Sequence, residues 1–158
     1  MSKIIVCLVL FELVSLSLQF PLNSGRFNDY KNHTCKRDCS ESGMPMVCEY
    51  DFVFESYVAM SRACFACPLK SSDCLREHCI SADGFKRTIQ VANRLMPGPS
   101  IEVCKGDTIV VNVENRLDND ETTSIHWHGM RQKNTNFMDG TPMITQCPIF
   151  KNNRMKYE

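Results

Sequence analysis

The sequence predicts an all-β domain, a sandwich or barrel of short strands, carried behind a disulfide-rich segment. Three observations predict it. From Gly84 onward, short apolar stretches recur between turn residues with no helical period among them. Ten cysteines occur in only 158 residues, a density that marks disulfide scaffolds. That length suits one domain, with or without a small appended module, and is enough to bury a core.

Taken in order, the chain opens with "MSKIIVCLVLFELVSLSLQF": a short basic start, an apolar run from Ile4 to Leu18 broken by Glu12, then polar residues. This predicts a cleaved secretory signal over residues 1–19. The run falls short of the ~20 apolar residues a spanning helix needs, so no stable membrane span is expected and the chain is expected to be secreted. Asn32, in "NHT", is a glycosylation acceptor consistent with export.

Residues 20–83 form a cysteine-rich extension. Its polar start, "FPLNSGRFNDYKN", reads as a linker, and "EYDFVFESY" (Glu49 to Tyr57) has the aromatic and β-branched content of a strand. "SRACFACPLKSSDCLREHC" has too little periodic hydrophobicity to fold without staples. Cys7 leaves with the signal, and the remaining cysteines are odd in number, so an oxidising compartment leaves one thiol unpaired. "CFAC" lacks the βαβ context of a redox CxxC, and export argues against zinc at Cys64, Cys67, Cys74 and Cys79. Structural disulfides are expected instead.

Residues 84–158 supply the strands. "TIQVAN" is one, "MPGPS" a stiff turn, and "SIEVC" and "TIVVNVEN" two more, divided by "KGD", where Gly106 permits a reversal. "NRLDNDETT" is a polar loop, "SIHWH" the next strand, and "FKNNRMKYE" a polar tail without alternation. Strands so spaced predict antiparallel pairing.

Chemistry concentrates at "SIHWHG". The chain has 18 basic and 18 acidic residues with no basic run, which gives nucleic acid no electrostatic footprint. On a strand, His126 and His128 share a face about 6.6 Å apart while Trp127 points into an apolar layer. That span suits two neighbouring metal ions better than one, although two polar residues on a solvated face have the same pattern. Imidazole pairs serve Zn, Cu, Fe or Ni, so spacing does not name the metal. Gly129 is expected to let backbone approach a neighbour. His33 and His78 read as surface residues, and Met44, Met46, Met138 and Met143 as loop and core filling.

"MPGPSIEVCKGDTIVVNVENRL", "TSIHWHGMRQ" and "FMDGTPMITQCPI", in this order over residues 84 to about 149, resemble the opening of domain one in laccase-type multicopper oxidases. The segment "CEYDFVFESYVAMSRACFACPLKSSDCLREHCISADG" resembles the amino-terminal extension of arthropod laccases. The resemblance implies a cupredoxin-like Greek-key β-barrel or sandwich in which His126 ligates a type 2 copper and His128 a type 3 copper. It implies one-electron oxidation of phenol-type donors at a type 1 copper, with electrons passed to a trinuclear cluster that reduces dioxygen to water.

The family's later histidine motifs and its type 1 cysteine have no counterpart here. The resemblance therefore implies an incomplete barrel, inactive alone, with "TIVVNVEN" or "SIHWH" left at an unpaired edge and the missing remainder of the oxidase as its partner. Cys147 would bridge to that remainder in the family, which makes it the odd thiol and leaves Cys35, Cys39, Cys48, Cys64, Cys67, Cys74, Cys79 and Cys104 as disulfide candidates. Two other readings stay open: a secreted copper-binding module without turnover, and a structural disulfide-rich module.

Overall fold

The computed structural model describes residues 29–40 and 43–158; the predicted signal at 1–19, with Cys7, lies outside them. Among the described residues no helix is long and apolar enough to cross a membrane.

The described chain folds around one open sheet with strand order β2-β1-β3-β4, made of β1 (Val47–Ala59), β2 (Arg87–Ala92), β3 (Thr108–Arg116) and β4 (Arg154–Tyr157). β1 alternates strictly at its start, with Cys48, Tyr50 and Phe52 buried and Glu49 and Asp51 exposed. β3 buries Val110 and Val111 together and then alternates, with Val113 and Asn115 buried and Asn112 and Glu114 partly exposed. These two apolar rows meet because β1 and β3 are hydrogen-bonded neighbours, Tyr50 opposite Val111 and Phe52 opposite Val113. Ile149, Tyr157 and the Cys35–Cys48 disulfide complete the core. The all-β class is as predicted, and the cysteine-rich segment supplies β1, an inner strand.

Several sequence expectations need correcting. The inner pair β1–β3 is parallel, and only β1–β2 and β3–β4 are antiparallel. The tail read as lacking strand character contains β4, which pairs with β3 and buries Tyr157. β3 therefore has a neighbour on each side, and no edge is left at "TIVVNVEN". "SIEVC" and "SIHWH" keep their alternation without joining the ladder: Ile101, Val103, Ile125 and Trp127 pack against the core while Glu102, His126 and His128 face outward. They are extended covers over the sheet rather than strands of it.

All eight candidate cysteines pair, as Cys35–Cys48, Cys39–Cys104, Cys64–Cys79 and Cys67–Cys74, and Cys147 is free and exposed. The two cysteines of "CFAC" each bond elsewhere, which removes both the redox and the zinc readings. Between Ser61 and Cys79 the chain forms a 3-10 turn (Arg62–Cys64), capped by the Ser61 side chain, and a one-turn helix α1 (Ser71–Cys74). The Cys39–Cys104 bridge ties the extension to the turn before β3, where Gly106 reverses the chain at φ +98.

That turn is also held by charge. Arg37 grips both Asp107 carboxylate oxygens at 2.7 Å, and the carboxylate accepts the backbone N–H groups of Met46 and Cys104 at 2.8 Å. The Arg37 hydrogen bonds hold the Asp107 carboxyl well below the usual carboxylate range, against the opposing effect of burial.

Candidate metal centre

The histidine segment is positioned by three anchors. Thr123 and Ile149 exchange backbone hydrogen bonds at 3.1 and 2.8 Å, closing the loop between them. The Ile125 N–H donates to the buried Tyr157 hydroxyl at 3.2 Å, and the Trp127 N–H donates to the Asp139 carbonyl at 3.2 Å. Every second residue is thus held inward, and Trp127 rests edge-on against Tyr157, ring centroids 5.6 Å apart. Alternation then turns His126 and His128 outward together.

The two imidazoles lie with centroids 5.6 Å apart and planes at 85°. Both are exposed. His126 Nδ1–H donates to the Asp139 carbonyl oxygen at 3.0 Å, with the Asp139 carboxylate 3.3 Å away. The proton on Nδ1 leaves the Nε2 lone pair free to bind a cation, the arrangement metal-ligating histidines adopt. Thr141 steadies the carboxylate through a 2.8 Å hydrogen bond. His128 makes no hydrogen bond among the described residues. A pair of accessible imidazoles, one already oriented from behind, is a donor set that fits copper.

Asp139 and Gly140 escaped the sequence reading, although both lie in the quoted "MDGTP". Gly140, at φ +81, is backed so closely against Ile125 that a Cβ would collide with the Ile125 carbonyl oxygen. Close backbone approach, expected at Gly129, is found at Gly140 instead. Gly129 has φ +79 and open space where a Cβ would sit, so its glycine answers to backbone conformation alone. Asn115 was also missed. Fully buried, it donates to the carbonyls of Glu121 and Ile149 at 2.8 Å and accepts the Leu117 N–H at 2.8 Å, pinning the loop that leads into Thr123.

The remaining candidates lie away from the pair. His78 is exposed, as expected. His33 is half-buried, more constrained than the surface reading expected: its ring stacks on Tyr50 at 4.4 Å, Nδ1 accepts the Cys35 N–H and Nε2–H donates to the Glu49 carbonyl. The Cys35–Cys48 bridge, whose partners the sequence does not name, draws it there. Met46 and Met138 pack against the core, while Met44 and Met143 are exposed. Asn32 is exposed.

The sequence profile of the multicopper oxidase family matches residues 74–158. Laccase-1 of Cryptococcus neoformans var. neoformans serotype D is 58% identical over 69 residues, 44% of this chain and 11% of that protein. Laccase-1 of the H99 strain of C. neoformans var. grubii is 53% identical over 78 residues, 49% of this chain and 12% of that protein. In structure, a laccase from Botrytis aclada superposes with a TM-score of 0.56 at 28% identity, over 80% of this chain and 20% of the other. The chain thus spans a small fraction of the laccases it matches. Copper is the cofactor that the match implies. With the profile covering more than half of its residues, and laccases recurring in both sequence and structure, the chain belongs to the multicopper oxidase family.

Proposed function

We propose that this chain is the amino-terminal part of a secreted laccase-like oxidase, in which His126 ligates a type 2 copper and His128 a type 3 copper. The observation that carries the site is the outward His126–His128 pair, with the Asp139 carbonyl occupying His126 Nδ1. In this reading residues 84–158 form the copper-facing part of a first plastocyanin-like domain, and the described part of the cysteine-rich extension at 20–83 braces it through β1 and the Cys39–Cys104 bridge. Trp127 anchors the segment from behind, Asp139 keeps the proton on Nδ1, and exposure of both rings leaves room for ligands from the rest of the oxidase. Copper held there supplies one-electron redox chemistry that the side chains lack. Oxidation of phenol-type donors coupled to reduction of dioxygen belongs to the complete enzyme.

Two experiments test this. Cu(II) titrated into the chain and followed by electron paramagnetic resonance is expected to show weak, exchangeable binding through nitrogen, lost in a His126→Ala, His128→Ala double variant; equal binding by both proteins removes the metal role. For the enzyme, reading the 3′ part of the message is decisive. Continuation in frame past Phe150 into further histidine motifs supports it, and a short protein secreted intact and ending at Glu158 overturns it. The laccase relatives do not favour the alternative of a non-catalytic copper-binding or structural module.

A further inference from the structure

Outside the histidine face, the most organised exposed feature is the reverse turn at Tyr30. The His33 N–H donates to the Tyr30 carbonyl at 3.0 Å, making Tyr30 the first and Asn32 the third residue of a tight turn. Asn32 and Thr34, the acceptor and hydroxyl positions of the sequon, are both exposed, while the intervening His33 turns inward onto Tyr50. Tyr30 is immobilised on the opposite side. Its hydroxyl donates to the Asp51 carbonyl at 2.8 Å and accepts the Asp51 N–H at 2.7 Å, and its ring meets Tyr50 edge-on at 4.8 Å. Tyr30 as a whole is half-buried, two residues before the acceptor.

We propose that Asn32 carries an N-linked glycan whose first sugar packs its apolar C–H face on the Tyr30 ring, so that the modification also clamps the amino-terminal turn onto β1. A fixed aromatic surface offers such a face contact at little entropic cost, because Tyr30 is ordered before the sugar arrives. The four disulfides place the chain in the oxidising compartment where sequons are modified. The donor is a lipid-linked oligosaccharide diphosphate. Its anomeric carbon–oxygen bond breaks, a bond forms from that carbon to the Asn32 amide nitrogen, and one amide proton is released with the lipid diphosphate. The proposal shares only the export reading with the proposed function, and its readouts are independent of copper.

The test expresses the full chain in a eukaryotic secretory host. Intact-mass analysis is expected to find one glycan, absent in Thr34→Ala. Trimming to the first sugar should leave Tm unchanged, whereas complete removal should lower it by about 2–4 °C, the shift a contact of aromatic-stacking size gives in a domain of this length. The N-acetyl protons of that sugar should show a ring-current shift in the native protein that vanishes on unfolding, a reading that needs no variant to fold. An unmodified Asn32 in the expressed chain overturns the site. A modified Asn32 with equal Tm and unshifted N-acetyl protons overturns the contact with Tyr30.

Discussion

The loop from Ser61 to Cys79 and the loop from Thr123 to Ile149 both have little regular structure, and they are held in opposite ways. The first is closed by two nested disulfides and leaves Phe65, Leu69 and Leu75 facing outward. The second contains no disulfide. Its shape depends on the Thr123–Ile149 bridge, the Asp139 carbonyl shared by Trp127 and His126, and a glycine at position 140. Covalent closure lets a segment dispense with burial, whereas closure by hydrogen bonds makes each residue matter. The histidine pair sits on the side where single atoms decide geometry.

The largest effects are expected on the covalent side, graded by the length of chain enclosed. Removing Cys39–Cys104, whose partners are 65 residues apart, should cost about 4 kcal/mol by the loop-entropy relation. Removing Cys67–Cys74, separated by 7, should cost about 2 kcal/mol. Urea unfolding of the two paired Cys→Ala variants checks this, and equal losses would break the idea that ring size governs this region.

On the other side, Asn115→Ala takes away the donor to the Glu121 carbonyl and the acceptor of the Leu117 N–H, leaves the Ile149 carbonyl with the Thr123 N–H alone, and is expected to cost about 2–3 kcal/mol. Gly140→Ala adds a collision at φ +81 and should cost more than about 2 kcal/mol while displacing His126. Thermal unfolding measures both losses. The imidazole resonances of His126 should move in Gly140→Ala and stay in place in the Cys67–Cys74 variant.

The Arg37–Asp107 clasp lies in neither loop, tying the extension to the turn before β3, and serves as a pH-dependent reference for the comparison. The folded-state carboxyl of Asp107 titrates below its unfolded value, so its contribution is complete above about pH 4 and is lost as pH falls further. Asp107→Asn should therefore flatten the acid limb of a stability–pH profile taken from pH 6 to pH 2 and leave the histidine loop's own contacts intact. An unchanged acid limb would show that the clasp contributes nothing.

What the sequence made legible follows the same division. Alternation is a property of one segment, so the inward Ile125 and Trp127 and the outward His126 and His128 could be read from "SIHWH" alone. A ladder needs two segments, which is why "SIEVC" and "SIHWH" read as strands from their own pattern and the β4 residues Arg154–Tyr157 read as a polar tail. Disulfide membership was readable from composition and from the family resemblance, but the inward pull on His33 was not, because it depends on which cysteine Cys35 meets. Asn115 and Asp139 act through backbone atoms of distant loops, and nothing in their local pattern announces such partners.

The smallest effect on folding is expected where the effect on the site should be clear. Asp139→Asn keeps the backbone carbonyl that receives both Trp127 N–H and His126 Nδ1–H, and keeps a side-chain oxygen near Thr141, but removes the negative charge 3.3 Å from the imidazole. Stability should change by less than about 1 kcal/mol, because the backbone hydrogen bonds and an acceptor for the Thr141 hydroxyl survive the substitution. Copper affinity should fall about tenfold, because a carboxylate behind an imidazole raises the basicity of the nitrogen facing the metal. Copper titration and thermal unfolding of the same preparation separate the two. If affinity is unchanged, the carbonyl alone orients His126 and the carboxylate is incidental; if stability falls with affinity, the hydrogen-bonded loop and the metal pair are one unit and the division between the two regions must be redrawn.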